Sequence, residues 1–232
     1  MNSPFTSEFV CFAHRGASGY EPENTLRSFS RALELGAQWI ELDVRVVEDQ
    51  PIIFHDRTLR RRTGVGGVVE KLPLSFLRSL DAGKGEKIPL LSEVTDLVSQ
   101  RAKLQLELKS RGAASAVAAH LSRCLSNGAV PSDFLISSFD FEEALLFTKL
   151  LPQVPVGLLI HGYPRNPEEL AHQLSAVSVH INLDAVTPKR VADLHSAGLK
   201  VFVYTVNEPA DLQFVRNAGV DGVFTDFPDR VG

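Results

Sequence analysis

The chain has 232 residues, 44% of them hydrophobic and 22% charged, with 24 basic against 28 acidic side chains for a net charge of −4. A chain of that size buries enough apolar surface to fold without disulfides or a structural metal, and its acidic balance excludes the basic face that a nucleic-acid partner requires. No apolar run approaches the roughly 18 residues of a membrane span, and the opening residues 1–13 lack the basic start and long apolar stretch of a secretory leader, so the expected setting is the cytoplasm.

Short β-branched runs alternate with amphipathic segments almost from end to end. The first strand is expected at Phe9–Ala13. A helix follows at Thr25–Leu35, where Leu26, Phe29, Ala32, Leu33 and Leu35 recur at the three-and-four spacing of one buried face. The second strand is Gln38–Val46, trailed by the apolar run Pro51–Phe54. From Asp56 to Pro89 the chain is irregular and longer than a usual loop, which predicts a small insertion. Within it, Gly64–Gly67 lacks the Lys-Ser/Thr of a nucleotide-binding loop, and Arg57, Arg60, Arg61 and Arg62 read as solvated surface.

The pattern then settles. Helices are expected at Leu91–Gln100, Ala113–Ser126, Phe141–Lys149, Pro167–Leu174, Pro188–Ser196 and Pro209–Asn217. Strands are expected between and after them at Lys103–Leu108, Phe134–Ser137, Val156–Ile160, Ser178–Asn182, Lys200–Thr205 and Gly219–Thr225. Pro167, Pro188 and Pro209 stand in first helical turns, while Gly36, Gly128, Gly198 and Gly219 fall where a left-handed cap is needed. Eight buried strands separated by helices predict a closed (β/α)₈ TIM barrel. The alternative, an open doubly wound sheet, lacks its glycine-rich phosphate turn after the first strand. No linker divides the chain, so a single domain over 1–232 is expected, with an insertion at about 56–89 and little room for a last outer helix. Cys11 and Cys124 belong to no metal spacing and read as small buried hydrophobes.

The chemistry gathers where barrel strands end. The first strand closes on His14-Arg15-Gly16. The second closes on Glu41-Leu42-Asp43, whose two carboxylates share one face because strand side chains alternate. The third ends in Glu107-Leu108-Lys109, adding a carboxylate and a cation beside them. Three carboxylates so placed repel one another unless a hard divalent cation with oxygen ligands offsets them. His14 and His55 offer two imidazoles that titrate near neutrality and can divide proton removal from proton delivery. Arg15 and Lys109 would then suit a phosphate. The set describes metal-assisted phosphodiester cleavage. Glu23 and Asn24 either reach this site or, for Asn24, cap the next helix. Of the other histidines, His120, His172 and His195 are expected on solvent-facing helix surfaces and His180 inside a strand, leaving only His161 near a strand end.

His14-Arg15-Gly16, Pro22-Glu23-Asn24-Thr25, Glu41-Leu42-Asp43-Val44, His55-Asp56, Glu107-Leu108-Lys109, Tyr204-Thr205-Val206-Asn207 and Gly222–Pro228 together resemble the ordered signature of glycerophosphodiester phosphodiesterases. The likeness runs from residue 13 to about 228. It implies a TIM barrel in which Glu41, Asp43 and Glu107 bind one Ca²⁺ or Mg²⁺, His14 and His55 form the acid–base pair, and Arg15 and Lys109 meet the phosphate. It also implies a small-molecule substrate, cleaved to an alcohol and sn-glycerol 3-phosphate. Tyr204 departs from the family's usual Trp, a residue that lines the glycerol pocket. Residue types leave open which histidine is the acid, and whether water or the glycerol 2-hydroxyl attacks. A lysophospholipase D acting on larger diesters is the rival activity, for which Leu72, Leu74, Phe76 and Leu77 would form an apolar rim. A catalytically dead barrel serving as a binding module is the rival from another class.

Overall fold

In the computed structural model, which describes residues 4–5 and 8–231, the elements run β1 (Val10–Ala13), α1 (Leu26–Glu34), β2 (Trp39–Val47), β3 (Gln50–Ile53), α2 (Arg60–Thr63), α3 (Leu74–Leu77), α4 (Leu91–Val98), β4 (Lys103–Leu108), α5 (Ala113–Ser126), β5 (Phe134–Ser137), α6 (Phe141–Leu150), β6 (Gly157–Leu159), α7 (Pro167–Gln173), β7 (Ser178–Asn182), α8 (Pro188–Ser196), β8 (Lys200–Tyr204), α9 (Pro209–Asn217) and β9 (Gly222–Thr225). Eight strands lie parallel in the order β5-β4-β2-β1-β9-β8-β7-β6, and one parallel bridge between Ile136 and Val156 joins the two ends. This is the expected TIM barrel, nearly closed. After β9 the described residues make a 3₁₀ turn at Pro228–Arg230. Among the described residues no helix is long and apolar enough to cross a membrane.

Strand alternation divides the barrel into two environments. Ile40, Leu42 and Val44 of β2 point outward into the main core against the helices, whereas Trp39, Glu41 and Asp43 share the inward face. Inside the barrel, Phe12, Trp39, Leu135, Phe202 and Phe224 form an apolar cluster. Phe12 stacks on Phe224 at 4.5 Å and meets Phe202 edge-on at 4.9 Å. Offset and edge-on ring pairs of this kind add about 0.5–1.5 kcal/mol each beyond their buried area, so the carboxylates stand on a rigid apolar floor.

The apolar Pro51–Phe54 run forms most of a strand. Its residues belong to β3, which pairs antiparallel with β2 from Val44↔Ile53 to Val47↔Gln50. The hairpin turns at Glu48 and Asp49, both left-handed with φ of 50° and 60°. Pro51 is tolerated because β3 is an edge strand rather than a barrel strand. The insertion is likewise better ordered than its sequence suggests. Leu59, Val69, Leu77 and Ile88 pack with Ile52 and Phe54 into a second, separate core.

Helix α1 begins as the Thr25 start predicted. Thr25 is the cap, accepting from the Ser28 N–H at 3.1 Å while Ser28 Oγ accepts from the Thr25 N–H at 3.2 Å. Asn24 is therefore free of any capping duty and is available elsewhere.

Candidate active site

The β2–β4 register sets Asp43 directly beside Glu107, and Glu41 lies one inward step below Asp43. Oxygens of Glu41, Asp43 and Glu107 fall within 4.8 Å of one another. Glu41 and Asp43 are buried, at 3% and 1% exposure. Burial and the Asp43 charge push the Glu41 pKa well above the carboxylate range, and the same two causes push Glu107 up. Asp43 is also desolvated, but Arg15, Lys109 and His55 hold its pKa down. Asp43 Oδ1 is buried without a hydrogen bond. Three crowded carboxylates, one with a buried oxygen that accepts no hydrogen bond, fit a divalent cation with oxygen ligands.

Asn24 takes its place here. Its Nδ2 donates to Asp43 Oδ2 at 2.7 Å, and its Oδ1 accepts from the Asp43 N–H at 3.3 Å. Because Asn24 fixes one Asp43 oxygen, the other is left for a ligand.

Arg15 sits in a tight turn that only glycine can complete. Gly16 has φ +81°, and a Cβ there would stand 2.5 Å from Ser28 Oγ and 2.6 Å from the Ser28 carbonyl carbon. The turn aims the Arg15 N–H at Glu41 Oε2, 2.7 Å away, and sets the guanidinium Nε 3.3 Å from Asp43 Oδ2. Across the cluster, Lys109 Nζ stands 2.7 Å from Glu107 Oε1 and 3.4 Å from Asp43 Oδ1. Both cations therefore border the carboxylates, and both line the same cavity.

Each histidine is held by a carboxylate. His14 Nδ1 and Asp226 Oδ1 are 2.7 Å apart, and Asp226 also accepts from Ser18 Oγ at 2.8 Å and Asn207 Nδ2 at 2.7 Å. Burial works to raise the Asp226 pKa, but these donors hold it down at about 2. His55 Nδ1 and Asp56 Oδ1 are also 2.7 Å apart, and Arg61, with His55, keeps Asp56 below the usual range. An ionised carboxylate can only accept, so each histidine donates from Nδ1 and leaves Nε2 for other work. Burial lowers the His55 pKa, aided by Arg15 and Lys109 and opposed by Asp43.

His14, His55, Arg15, Glu41, Glu107 and Lys109 line one cavity of about 140 Å³. It adjoins a wider cleft of about 810 Å³ that shares His55, Glu107, Lys109 and Phe139. Tyr204 also lines the smaller cavity, with its ring edge-on to Phe139 at 6.1 Å and its hydroxyl donating to the Ile160 carbonyl at 2.7 Å. Phe139, Gln105, Ser137 and His180 join that lining without having been singled out in the sequence.

Of the remaining histidines, His180 lies within a strand as expected and His120 departs from expectation. His161 is exposed and lies outside the cavity, while His180 is wholly buried in the cavity wall, where desolvation pushes its pKa down to about 3. His120 is buried rather than solvent-facing and bonds Thr95 Oγ1 at 3.0 Å. His172 and His195 are exposed as expected. Of the four apolar insertion residues, Leu77 is buried, Leu72 and Leu74 pack onto the insertion core, and Phe76 alone is exposed.

Known proteins resemble this chain over nearly its whole length. The model of the glycerophosphoryl diester phosphodiesterase family matches residues 14–230. A glycerophosphodiester phosphodiesterase of Caldanaerobacter subterraneus subsp. tengcongensis is 34% identical over 232 residues, covering 96% of each chain. One from Bacillus altitudinis is 32% identical over 94% of this chain and 95% of that protein. Among solved structures, an Oleispira antarctica phosphodiesterase in complex with the product sn-glycerol-3-phosphate superposes with a TM-score of 0.90 at 32% identity, covering 99% of this chain and 98% of that one.

Proposed function

Because the chain belongs to the glycerophosphoryl diester phosphodiesterase family, we propose that the cavity at the carboxyl ends of β1, β2 and β4 is its active site. The protein hydrolyses glycerophosphodiesters to an alcohol and sn-glycerol 3-phosphate. The observation that carries the assignment of the site is the convergence of two carboxylate-held histidines, two cations and three clustered carboxylates on one small cavity. The whole chain acts as one catalytic domain, with the segment at about 56–89 as an insertion.

Glu41, Asp43 and Glu107 would hold one divalent metal, Ca²⁺ or Mg²⁺. When bound, such an ion supplies positive charge where the transition state gathers negative charge. Arg15 and Lys109 bind the phosphate and hold it against the carboxylate cluster. His55 is the general base. Burial, with Arg15 and Lys109 nearby, lowers its pKa against the pull of Asp43 and Asp56, which favours the neutral imidazole that takes a proton from the attacking oxygen. His14 is the general acid. Apart from His14 itself, the side chains bonding Asp226 are the neutral Ser18 and Asn207, so this carboxylate keeps its charge to steady an imidazolium that protonates the leaving alkoxide. Proton transfers of this kind are worth roughly 10²–10⁴ in rate each. Tyr204 and Phe139 wall the glycerol carbons. The reading sets the enzyme in the cytoplasm, where the free thiols of Cys11 and Cys124 stay reduced.

The test is an assay of sn-glycerol 3-phosphate release from several glycerophosphodiesters. Release should stop in excess chelator and return with Ca²⁺ or Mg²⁺. Full activity in chelator would end the metal assignment, and no release from any diester would end the reading of the site.

A further inference from the structure

The basic cluster on the insertion reads as solvated surface, and Arg61 is indeed half-exposed, yet its guanidinium is engaged by two carboxylates. Arg61, on α2, donates from Nε and Nη2 to Asp56 Oδ2 and Oδ1 at 2.6 and 2.9 Å. It also donates from Nη1 and Nη2 to Glu23 Oε2 and Oε1 at 2.7 and 2.6 Å. Each carboxylate passes the contact on. Asp56 Oδ1 meets His55 Nδ1 at 2.7 Å, and Glu23 Oε1 accepts from Arg15 Nη1 at 3.1 Å. One guanidinium therefore stands a single carboxylate away from both an acid–base histidine and a phosphate cation.

A second tie runs in parallel. Arg45 of β2 donates to the His55 carbonyl from Nε at 3.1 Å and from Nη2 at 2.7 Å, and it pairs with Glu70 in the insertion's 3₁₀ turn. The His55 backbone is thus fixed from the barrel side and its ring from the insertion side. Leu59, the residue that caps α2, packs into the insertion's own core, so the position of Arg61 is set by the fold of the insertion.

We propose that Arg61 is a positioning residue through which the insertion orients both the His55 imidazole and the Arg15 guanidinium, so that the insertion is part of the catalytic scaffold. The proposal rests on the reading of the active site given above. The residue type is specific to the task. A planar fork with five donors grips two carboxylates at once, whereas an ammonium is a point charge that cannot reproduce both bidentate contacts. Both carboxylates accept from the same Nη2, so without the shared cation they would repel and each would release the group it holds.

Three single variants and one double variant separate the arms. Asp56→Asn cuts only the His55 arm and should lower kcat at least tenfold with KM within threefold. Glu23→Gln cuts only the Arg15 arm and should raise KM at least threefold with a smaller change in kcat. Arg61→Gln should do both. In the Arg61→Gln/Asp56→Asn double variant, kcat should fall no more than about twofold below Asp56→Asn alone, because residues acting as one unit are not additive. Arg61→Lys serves if the Gln variant fails to fold, and it should show both changes in smaller degree. The proposal is overturned if a folded Arg61 variant keeps kcat and KM within twofold of the parent, or if the double variant multiplies the two losses. Failure of the parent chain to release sn-glycerol 3-phosphate would instead sink the reading of the site itself, so the two failures are distinguishable.

Discussion

Tyr204 closes the cavity from β8, and its ring and its hydroxyl do separable jobs. The hydroxyl donates to the Ile160 carbonyl at 2.7 Å, tying the end of β8 to the segment after β6. Burial, with Glu107, raises the phenol pKa to about 12, so it remains a donor at any working pH. Tyr204→Phe keeps the ring but strands that acceptor on a residue only 8% exposed. A neutral hydrogen bond is worth about 0.5–1.5 kcal/mol net and a stranded buried acceptor costs about 1–3 kcal/mol. We expect a loss of about 1–2 kcal/mol, which lowers Tm by about 2–8 °C for a chain of this size. The kcat/KM should stay within about threefold, since the ring still faces Phe139. Tyr204→Ala removes the wall itself and should cost about 1–3 kcal/mol of transition-state binding, or about 5- to 150-fold in kcat/KM. Thermal melts and steady-state kinetics on two or more diesters measure both effects. If Tyr204→Ala left kcat/KM untouched, the ring would not line the pocket. If Tyr204→Phe cost as much activity as Tyr204→Ala at an unchanged Tm, the hydroxyl would be acting on the substrate and not on Ile160.

Asp226→Asn should lower kcat by about 10²–10⁴ while metal affinity stays unchanged, because an amide no longer enforces the His14 tautomer; a loss under fivefold would remove Asp226 from the account. Saturating Ca²⁺ or Mg²⁺ should raise Tm by about 5–10 °C, the scale of ~2.7 kcal/mol at a hundred times Kd, and Glu41→Gln should abolish that rise. An equal rise in both proteins would place the ion elsewhere. His180 supplies a pH dependence of stability. Its pKa falls from 6.5 to about 3 on burial, so it is neutral when folded but takes a proton on unfolding below pH 6.5. Its contribution is complete above 6.5 and is lost as pH falls toward 3, at about 1.4 kcal/mol per pH unit where steepest. Urea melts at pH 7, 5 and 4 should show a shallower decline for His180→Leu than for the parent, and parallel declines would contradict the assignment.

The barrel and the three carboxylates were legible in the sequence because both follow from local periodicity. Alternation alone puts Glu41 and Asp43 on one face, and parallel neighbours in register bring Glu107 to Asp43. What stayed hidden was the layer of partners behind those groups. Asp226 meets His14 across 212 residues of sequence and Arg61 meets Glu23 across 38, distances over which no spacing rule operates. Asn24 was weighed as a cap because it precedes a helix, and Thr25 took that role once Ser28 completed the reciprocal pair. The His120 and His180 environments were missed for a different reason. Helix and strand periodicity tell which face a residue occupies, but not whether a neighbouring helix covers that face or whether a barrel interior is polar at that depth. The apolar run Pro51–Phe54 is too short for its periodicity to mark the hairpin strand β3, which pairs antiparallel with β2.

In the proposed mechanism, two histidines from separate strand ends share one reaction in this cavity. The most direct measurement is the turnover of sn-glycerol 3-phosphate release, in metal-replete buffer, for His14→Ala, His55→Ala and the double variant. Each single change should drop kcat by two or more orders of magnitude, with the double variant only slightly lower, because an acid and a base that work in one step fail together. Near-normal turnover in His55→Ala, or losses that multiply in the double variant, would contradict it.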